Sequence, residues 1–355
     1  MSFAIADGPA TTLSPGSSST QRRLAISAQG LSRTFDANDA VRGLDLAIAP
    51  GEIYGFLGPN GAGKSTTVRM LCTLLAPTSG TAHVAGHDIV ADAQKVRLRI
   101  GAALQDISLD PRQTGTELLR LQGRFYGLKH SVIDERMRAL TSLVDIGDAL
   151  DRRIETYSGG MRRRLDLAAA LVHEPEVLFL DEPTTGLDPA SRARVWDEVR
   201  TLNERLGMTI LLTTQYLEEA DALAHRIGII NAGQLVAEGT PEELKRQVGR
   251  DIVIAEIPGD VTAARDALSN IPGIDSIDAE HHVLRIATAD GATTIGPVAI
   301  ALDTAGIDFD GLSLRSTTLD DVFLELTGSR IQTDTTNAHA STSTSTSTST
   351  STETR

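Results

Sequence analysis

Residues 53–71 read IYGFLGPNGAGKSTTVRML, an apolar run that meets a glycine-rich turn and then a helical pattern. Gly58, Gly63, Lys64 and Ser65 give the spacing G-x-x-x-x-G-K-S, a phosphate-binding loop. Gly58, Gly61 and Gly63 let the backbone wrap closely round phosphate oxygens, where a Cβ would intrude. The loop N–H groups then form an anion-binding nest, and the helix N-terminus adds partial positive charge. Lys64 supplies a full charge to the terminal phosphates, and Ser65 Oγ can ligate Mg²⁺. The alternative, a strand-to-helix turn that binds nothing, lacks a reason for the lysine and serine.

Three other stretches carry matching chemistry. VLFLDEP, residues 177–183, is an apolar strand that ends in two carboxylates. Such a strand is buried on both faces of a sheet, and its C-terminal end is where open α/β sheets bind ligands. Asp181 can serve Mg²⁺ through water, and Glu182 can take a proton from an attacking water. In YSGGMRRRLDLAAAL, residues 157–171, Ser158, Gly159 and Gly160 open a helix and offer a second anion-binding end. Arg162, Arg163 and Arg164 read mostly as a solvated basic face. Two further apolar strands run into polar residues, IGAALQDISL into Gln105 and MTILLTTQY into Gln215. Phe35, on a strand upstream of the loop, reads equally as a base-stacking aromatic or as core.

These residues need a scaffold, and the chain is long enough for roughly two domains. From Ile53 onward, strand and helix patterns alternate as in a mostly parallel sheet. Leu118, Leu121, Phe125 and Leu128 form one helical stripe, and Met137, Leu140 and Val144 another; both are expected in the core. Past Gly249 the pattern changes to β-α-β-β-α-β with a closing helix, TLDDVFLELTG, and suggests a ferredoxin-like α+β domain. The expected division is a disordered leader at 1–23, a nucleotide-binding domain at 24–248, the accessory domain at 249–328 and a Ser/Thr-rich disordered tail at 329–355.

Composition narrows the partners. Lys plus Arg number 33 against 47 Asp plus Glu, a net charge of -14, which disfavours nucleic acid as a partner. No apolar run approaches the ~20 residues of a membrane-spanning helix. Cys72, the single cysteine, suits a reducing cytoplasm and reads as a small apolar residue.

Taken together, GPNGAGKST at 58–66, Gln105, YSGGM at 157–161, VLFLDEP and GLD at 186–188 resemble the ATP-binding subunits of ABC transporters, over residues 24 to about 245. The resemblance implies a mixed sheet with an antiparallel β subdomain and a helical subdomain at about 106–156. It implies that Pro59, Asn60, Ala62 and Thr66 join the loop in holding ATP, and that Phe35 stacks on the base. Gln105 would touch Mg²⁺ and the attacking water and sense a membrane partner. Ser158, Gly159 and Gly160 would contact the γ-phosphate held by a second copy, and Asp188 would cross the dimer interface. A catalytic group is expected at 215, where the family usually has histidine; Gln215 can donate a hydrogen bond but carries no charge. Met161 stands where the broad family has glutamine. The α+β domain, STTLDDVFLELTG, TTQYLEEAD and SGGMRRRLDLA resemble more narrowly the daunorubicin/doxorubicin-type exporter ATPases. That narrower match implies an exporter of amphipathic drugs at the cytoplasmic face of the membrane, with a separate integral membrane permease, while a loop on one surface and a signature on another imply a head-to-tail dimer around two Mg-ATP. The competing class, soluble ABC-type ATPases of DNA repair or translation, commonly has long coiled coils or paired cassettes, and neither pattern is present here. A non-hydrolysing ATP switch fits Gln215 but not Glu182.

Overall fold

The computed structural model describes residues 24–36, 38–105 and 109–328; the expected leader, the Ser/Thr tail and loop residues 106–108 lie outside them. Five parallel strands and one antiparallel edge strand form the central sheet: β3 (Ile53–Leu57), β6 (Ile100–Ala103), β7 (Val177–Asp181), β8 (Thr209–Thr214), β9 (Arg226–Asn231) and β10 (Gln234–Gly239), in the order β10-β9-β3-β8-β7-β6. β3, β7 and β8 are buried at every position, as their unbroken apolar runs require of strands covered on both faces. In their register Leu57 pairs with Thr214 and Asp181 with Thr213. The glycine loop, both acids and Gln215 therefore leave the sheet at one edge, the C-terminal edge where ligands bind.

A second, antiparallel sheet of β1 (Ile26–Phe35), β2 (Asn38–Ile48), β4 (Ser79–Val84) and β5 (His87–Asp88) runs in the order β2-β1-β4-β5. Helix α1 (Lys64–Leu71) follows the loop, and its buried Val68, Met70 and Leu71 share a core with Ile26, Leu31, Leu44, Tyr54 and Phe56. Cys72 lies in the same core, and burial pushes its thiol pKa well up, so it behaves as an apolar residue.

After the short α2 (Ala93–Arg97), the stretch expected to be mostly helical contains α3 (Gly115–Phe125) and α4 (His130–Leu143), followed after short 3₁₀ turns by α5 (Gly159–Leu171). Thr114 and Glu117 start α3 with reciprocal capping bonds. Leu118, Leu119, Ile133, Met137, Leu140 and Val144 pack together beneath α5. The expected stripe is only partly internal: Leu121 is 36% exposed and Phe125 74%. The inward face of α3 is Gly115, Leu118, Leu119 and Gly123. A Cβ on Gly123 would stand 2.6 Å from Ile133, so the two helices cross closely there and turn Phe125 outward.

Helices α6 (Pro189–Leu206) and α7 (Leu217–Leu223) flank β8, and α8 (Pro241–Val248) leads out of this body. β11 (Asp251–Glu256), α9 (Val261–Leu268), β12 (Ile274–Glu280), β13 (Val283–Thr288), α10 (Gly291–Thr304) and β14 (Gly311–Arg315) make an antiparallel sheet ordered β12-β13-β11-β14 with its own core around Val253, Leu268, Ile286 and Leu302. This is the split β-α-β arrangement. Helix α11 (Leu319–Thr327) does not pack in that core. Its Leu319, Val322 and Phe323 join Leu57, Ala220, Ala224, Ile229 and Leu244 instead. Asp251 pins the crossing: its carboxylate accepts from Gly291 N and from Thr317 N, just before α11.

Candidate nucleotide site

The loop glycines are explained by different neighbours. A Cβ on Gly58 would collide with the Ile230 carbonyl oxygen, and one on Gly63 would lie 2.5 Å from the Ala40 carbonyl oxygen. Gly63 also has φ of 106° and Gly61 φ of 81°, in the region that favours glycine, with no protein atom within 4 Å of a Cβ on Gly61. The surrounding strands thus constrain Gly58 and Gly63 as firmly as a phosphate would. Ala62 is buried, its carbonyl accepting Gly233 N at 2.9 Å; Asn60 is exposed and Pro59 and Thr66 half-buried.

Lys64 is only 4% exposed, and its Nζ donates to the carbonyls of Gly58 at 2.8 Å and Pro59 at 3.1 Å. It also lies 3.4 Å from Glu182 Oε1. Burial lowers the lysine pKa, and Glu182 followed by Asp181 opposes the shift. Ser65 Oγ donates to Asp181 Oδ1 at 3.1 Å, and Thr213 Oγ1 donates to the same oxygen at 2.6 Å. Glu182 has φ of 50°, a left-handed backbone for a residue with a Cβ, which typically costs ~1–2 kcal/mol. Its N–H is held by Thr213, and its Oε2 accepts from Gln105 Nε2 at 3.4 Å and Thr185 Oγ1 at 3.3 Å. Lys64, Ser65, Gln105, Asp181 and Glu182 therefore form one connected cluster. It places a cation and a hydroxyl beside two acids, so charge for phosphate adjoins oxygen donors for a metal and a proton acceptor. Gln215 is 2% exposed at the end of β8, beside Thr214 on the same edge.

Phe35 is 41% exposed, with the Arg33 guanidinium 4.5 Å above its ring. That removes the core reading and leaves an aromatic face at the surface.

Ser158, Gly159 and Gly160 lie elsewhere. Ser158 caps α5, its Oγ accepting from Met161 N at 3.3 Å. Ser158 and Gly159 are exposed, and a Cβ on Gly160 would first meet Ser191 Oγ at 3.9 Å. Ser191 in turn donates N–H and Oγ to Asp188, which caps α6 and is thereby held below the usual carboxylate range. Ser158, Gly160 and Asp188 thus belong to one surface. Among the described residues no hydrogen bond or ion pair joins Ser158, Gly159 or Gly160 to Lys64, Ser65, Asp181 or Glu182.

Several contributors escaped sequence reasoning. Thr213 holds both acids; its threonine lies inside an apolar strand, and only the β7–β8 register reveals it. Arg163 is not on a solvated face. It is 6% exposed and donates to the carbonyls of Leu104 at 2.7 Å, Pro183 at 3.2 Å and Asp181 at 3.3 Å, tying α5 to the segments on either side of Glu182. Arg164 too points inward, to the carbonyls of Val144 and Asp145. The α5 helix buries that side because Leu165, Ala168 and Leu171 face the core.

A glycine loop, two acids at the end of the adjoining sheet and a separate Ser-Gly-Gly helix start define a nucleotide-hydrolysing cassette. The sequence matches the ABC transporter family over residues 41–185, and the ATP-binding protein DrrA1-3-like C-terminal domain over 239–327. It is 48% identical over 307 residues to the daunorubicin resistance ATP-binding protein DrrA3 of Streptomyces coeruleorubidus, covering 86% of this chain and 96% of that one. It is 37% identical over 309 residues to the Nod factor export ATP-binding protein I of Ralstonia nicotianae, covering 86% and 95%. A solved ATP-binding subunit of an ABC transporter superposes with a TM-score of 0.58 at 26% identity, over 63% of this chain and 93% of its own. The chain belongs to the ATP-binding subunits of ABC transporters, in the branch that carries the DrrA-type C-terminal domain. It binds and hydrolyses ATP, and such cassettes dimerise and work with membrane subunits. Among the described residues no helix is long and apolar enough to cross a membrane.

Proposed function

We propose that two copies of this chain close head to tail around two Mg-ATP at the cytoplasmic face of the membrane and drive efflux of an amphipathic drug or antibiotic through a separate integral membrane permease. The observation that carries this reading is the split site. Lys64, Ser65, Asp181 and Glu182 converge on one surface, while the capped, exposed start of α5 offers Ser158, Gly159 and Gly160 on another. Within one copy neither surface completes the other. Ser158 Oγ accepts a bond from its own helix and keeps its hydroxyl proton for an oxygen of a facing γ-phosphate.

In this arrangement Gly58–Thr66 cradle the phosphates, Lys64 neutralises them and Phe35 stacks on the base. Glu182 takes the proton of the attacking water, positioned by Gln105, and Gln215 donates a hydrogen bond to the γ-phosphate. Ser65 Oγ and Asp181 Oδ1, 3.1 Å apart, are hard oxygen donors that fit Mg²⁺, with Gln105 completing the set. The ion would offset charge on the β- and γ-phosphates. ATP binds the closed pair best and shifts the population toward it. Asp188, exposed beside Ser158, crosses the interface. The body at 24–248 carries this chemistry and residues 249–328 form the accessory unit. A nucleic-acid partner is disfavoured by the charge of -14.

The permease would dock on the helical side near Gln105. There Leu121 and Phe125 are exposed on α3, and the neighbouring Gln122 and Tyr126 line a cavity of about 270 Å³ together with Leu74 and Arg97. The higher identity to a daunorubicin resistance protein than to a Nod factor exporter supports a drug-type cargo. The test is co-purification of the tagged chain from detergent-solubilised native membranes, with and without Phe125→Asp. An integral membrane protein bound to the parent and lost from the variant, with ATPase activity of the isolated subunit intact, is expected. Recovery of soluble protein or nucleic acid alone would refute the transport reading.

A further inference from the structure

Glu219 is fully buried in the first turn of α7, four residues after Gln215. Its Oε1 accepts two hydrogen bonds, from Thr184 Oγ1 at 2.8 Å and from Trp196 Nε1 at 3.0 Å. Thr184 lies on the loop between Glu182 and Asp188, and Trp196 lies on α6, the helix that Asp188 caps. A second tie runs the same way: the Arg192 guanidinium of α6 stands 4.2 Å over the ring of Tyr216, the residue after Gln215. Burial pushes the Glu219 carboxyl pKa up, opposed by donors from Thr214, Thr184 and Trp196 and by the Arg192 charge.

An apolar residue would pack at this position without the desolvation that a carboxyl suffers. The carboxyl instead gathers donors from two segments that share no strand or helix. Both donor segments meet at Asp188, the N-cap of α6, while the helix that carries Glu219 starts just after Gln215. We propose that Glu219 is a positioning residue that couples Gln215 to Asp188. Contact of Gln215 with the γ-phosphate shifts the start of α7. The Glu219 carboxyl carries that shift to the Thr184 loop and to α6, and so sets Asp188 for the second copy. This coupling rests on the head-to-tail reading above. Neither Thr184 nor Trp196 is required to touch nucleotide.

The test uses the full chain with Glu182→Gln, which removes the proton acceptor so that bound ATP persists. ATP affinity of the monomer and Mg-ATP-driven dimerisation are measured separately, the first with a fluorescent ATP analogue and the second by sedimentation. Glu219→Gln keeps the Oε1 acceptor for Thr184 and Trp196 and nearly the same shape; both readouts are expected within about twofold of the parent. Glu219→Leu is expected to leave monomer affinity alone and to weaken dimerisation by about tenfold or more, inside the ~5–150-fold range typical of coupling between sites. Thr184→Val and Trp196→Phe each remove one donor with less risk to folding, and each is expected to weaken dimerisation by a smaller factor. A merely structural role would lower monomer affinity and thermal stability together with dimerisation, and would overturn the proposal. So would normal dimerisation of Thr184→Val and Trp196→Phe, or a Glu219→Gln variant as impaired as Glu219→Leu. If the parent itself does not dimerise with Mg-ATP, the head-to-tail reading fails first and the coupling falls with it.

Discussion

Alanine at each loop glycine separates what the protein demands from what the phosphate demands. Gly63→Ala meets both penalties. Its φ of 106° lies outside the regions a Cβ tolerates, and that Cβ would press on the Ala40 carbonyl oxygen at 2.5 Å. Left-handed strain costs ~1–2 kcal/mol and overpacking ~1–3 kcal/mol, so about 2–5 kcal/mol is expected. Gly58→Ala meets only the second, through the Ile230 carbonyl and a methyl at 2.8 Å, for ~1–3 kcal/mol. Gly61→Ala, with φ of 81° and open space around it, meets only the first, for ~1–2 kcal/mol. Urea unfolding of the three variants without nucleotide reads these costs as midpoint shifts at constant slope. The expected order is Gly63 most costly and Gly61 least, with ATP binding weakened in all three. A Gly61→Ala variant as unstable as Gly63→Ala, or a Gly58→Ala variant indistinguishable from the parent, would refute the assignment of these glycines to β9 and β2.

Other expectations follow from single contacts. Phe35→Ala should raise the Kd for ATP by roughly 5- to 150-fold, the ~1–3 kcal/mol of a base–aromatic stack, with little change in kcat; an unchanged Kd in a direct binding assay would exclude the stack. Burial raises the Glu198 carboxyl pKa to about 7, above its unfolded value of 4.5. Its contribution to stability is therefore present below pH 4.5 and lost as pH rises through about 7. Glu198→Gln should match the parent's Tm near pH 5 and exceed it at pH 8, and equal Tm differences at both pH values would disprove this. Phe323→Ala, at a side chain 1% exposed among Leu57, Ala220 and Leu244, should cost ~3–5 kcal/mol and lower ATPase activity. If α11 served only the accessory sheet, ATPase activity would survive that substitution.

The loop, the paired acids and the serine-glycine helix start were legible because each couples residue type to short spacing along the chain. Burial of β3, β7 and β8 followed from their apolar runs. What the sequence hid depends on register and rotation. Thr213 reaches Asp181 only because β7 and β8 align those two residues. Arg163 looks like its neighbours in an arginine triplet, and a turn of α5 decides that it faces the carbonyls beside Glu182. Phe125 fits a helical stripe, yet Gly123 lets α4 approach so closely that the inner face of α3 excludes it. Helix α11 follows the accessory strands in sequence, but Asp251 holds the chain's return at Thr317 where α7 and α8 offer an apolar face.

The electrostatics of α5 give the split site its logic. Its first turn carries no acidic side chain, so no carboxylate of its own offsets the partial positive charge at its N-terminus. Ser158 satisfies one backbone donor there and leaves the exposed Gly159 without a side chain to screen the rest. On the other surface, Lys64 already shares its charge with Glu182 and two carbonyls. A nucleotide held there presents more negative charge than one lysine neutralises, and beside Mg²⁺ the helix start of a second copy would add to the balance. On the proposed arrangement, the γ-phosphate is thus the group that makes the two surfaces complementary. ADP lacks that charge and should leave the pair apart. Dimerisation in the Glu182→Gln background should then need ATP rather than ADP and weaken as salt rises, since helix-end and ion-pair terms are both screened. A dimer equally stable with ADP, or indifferent to salt, would place its driving force elsewhere.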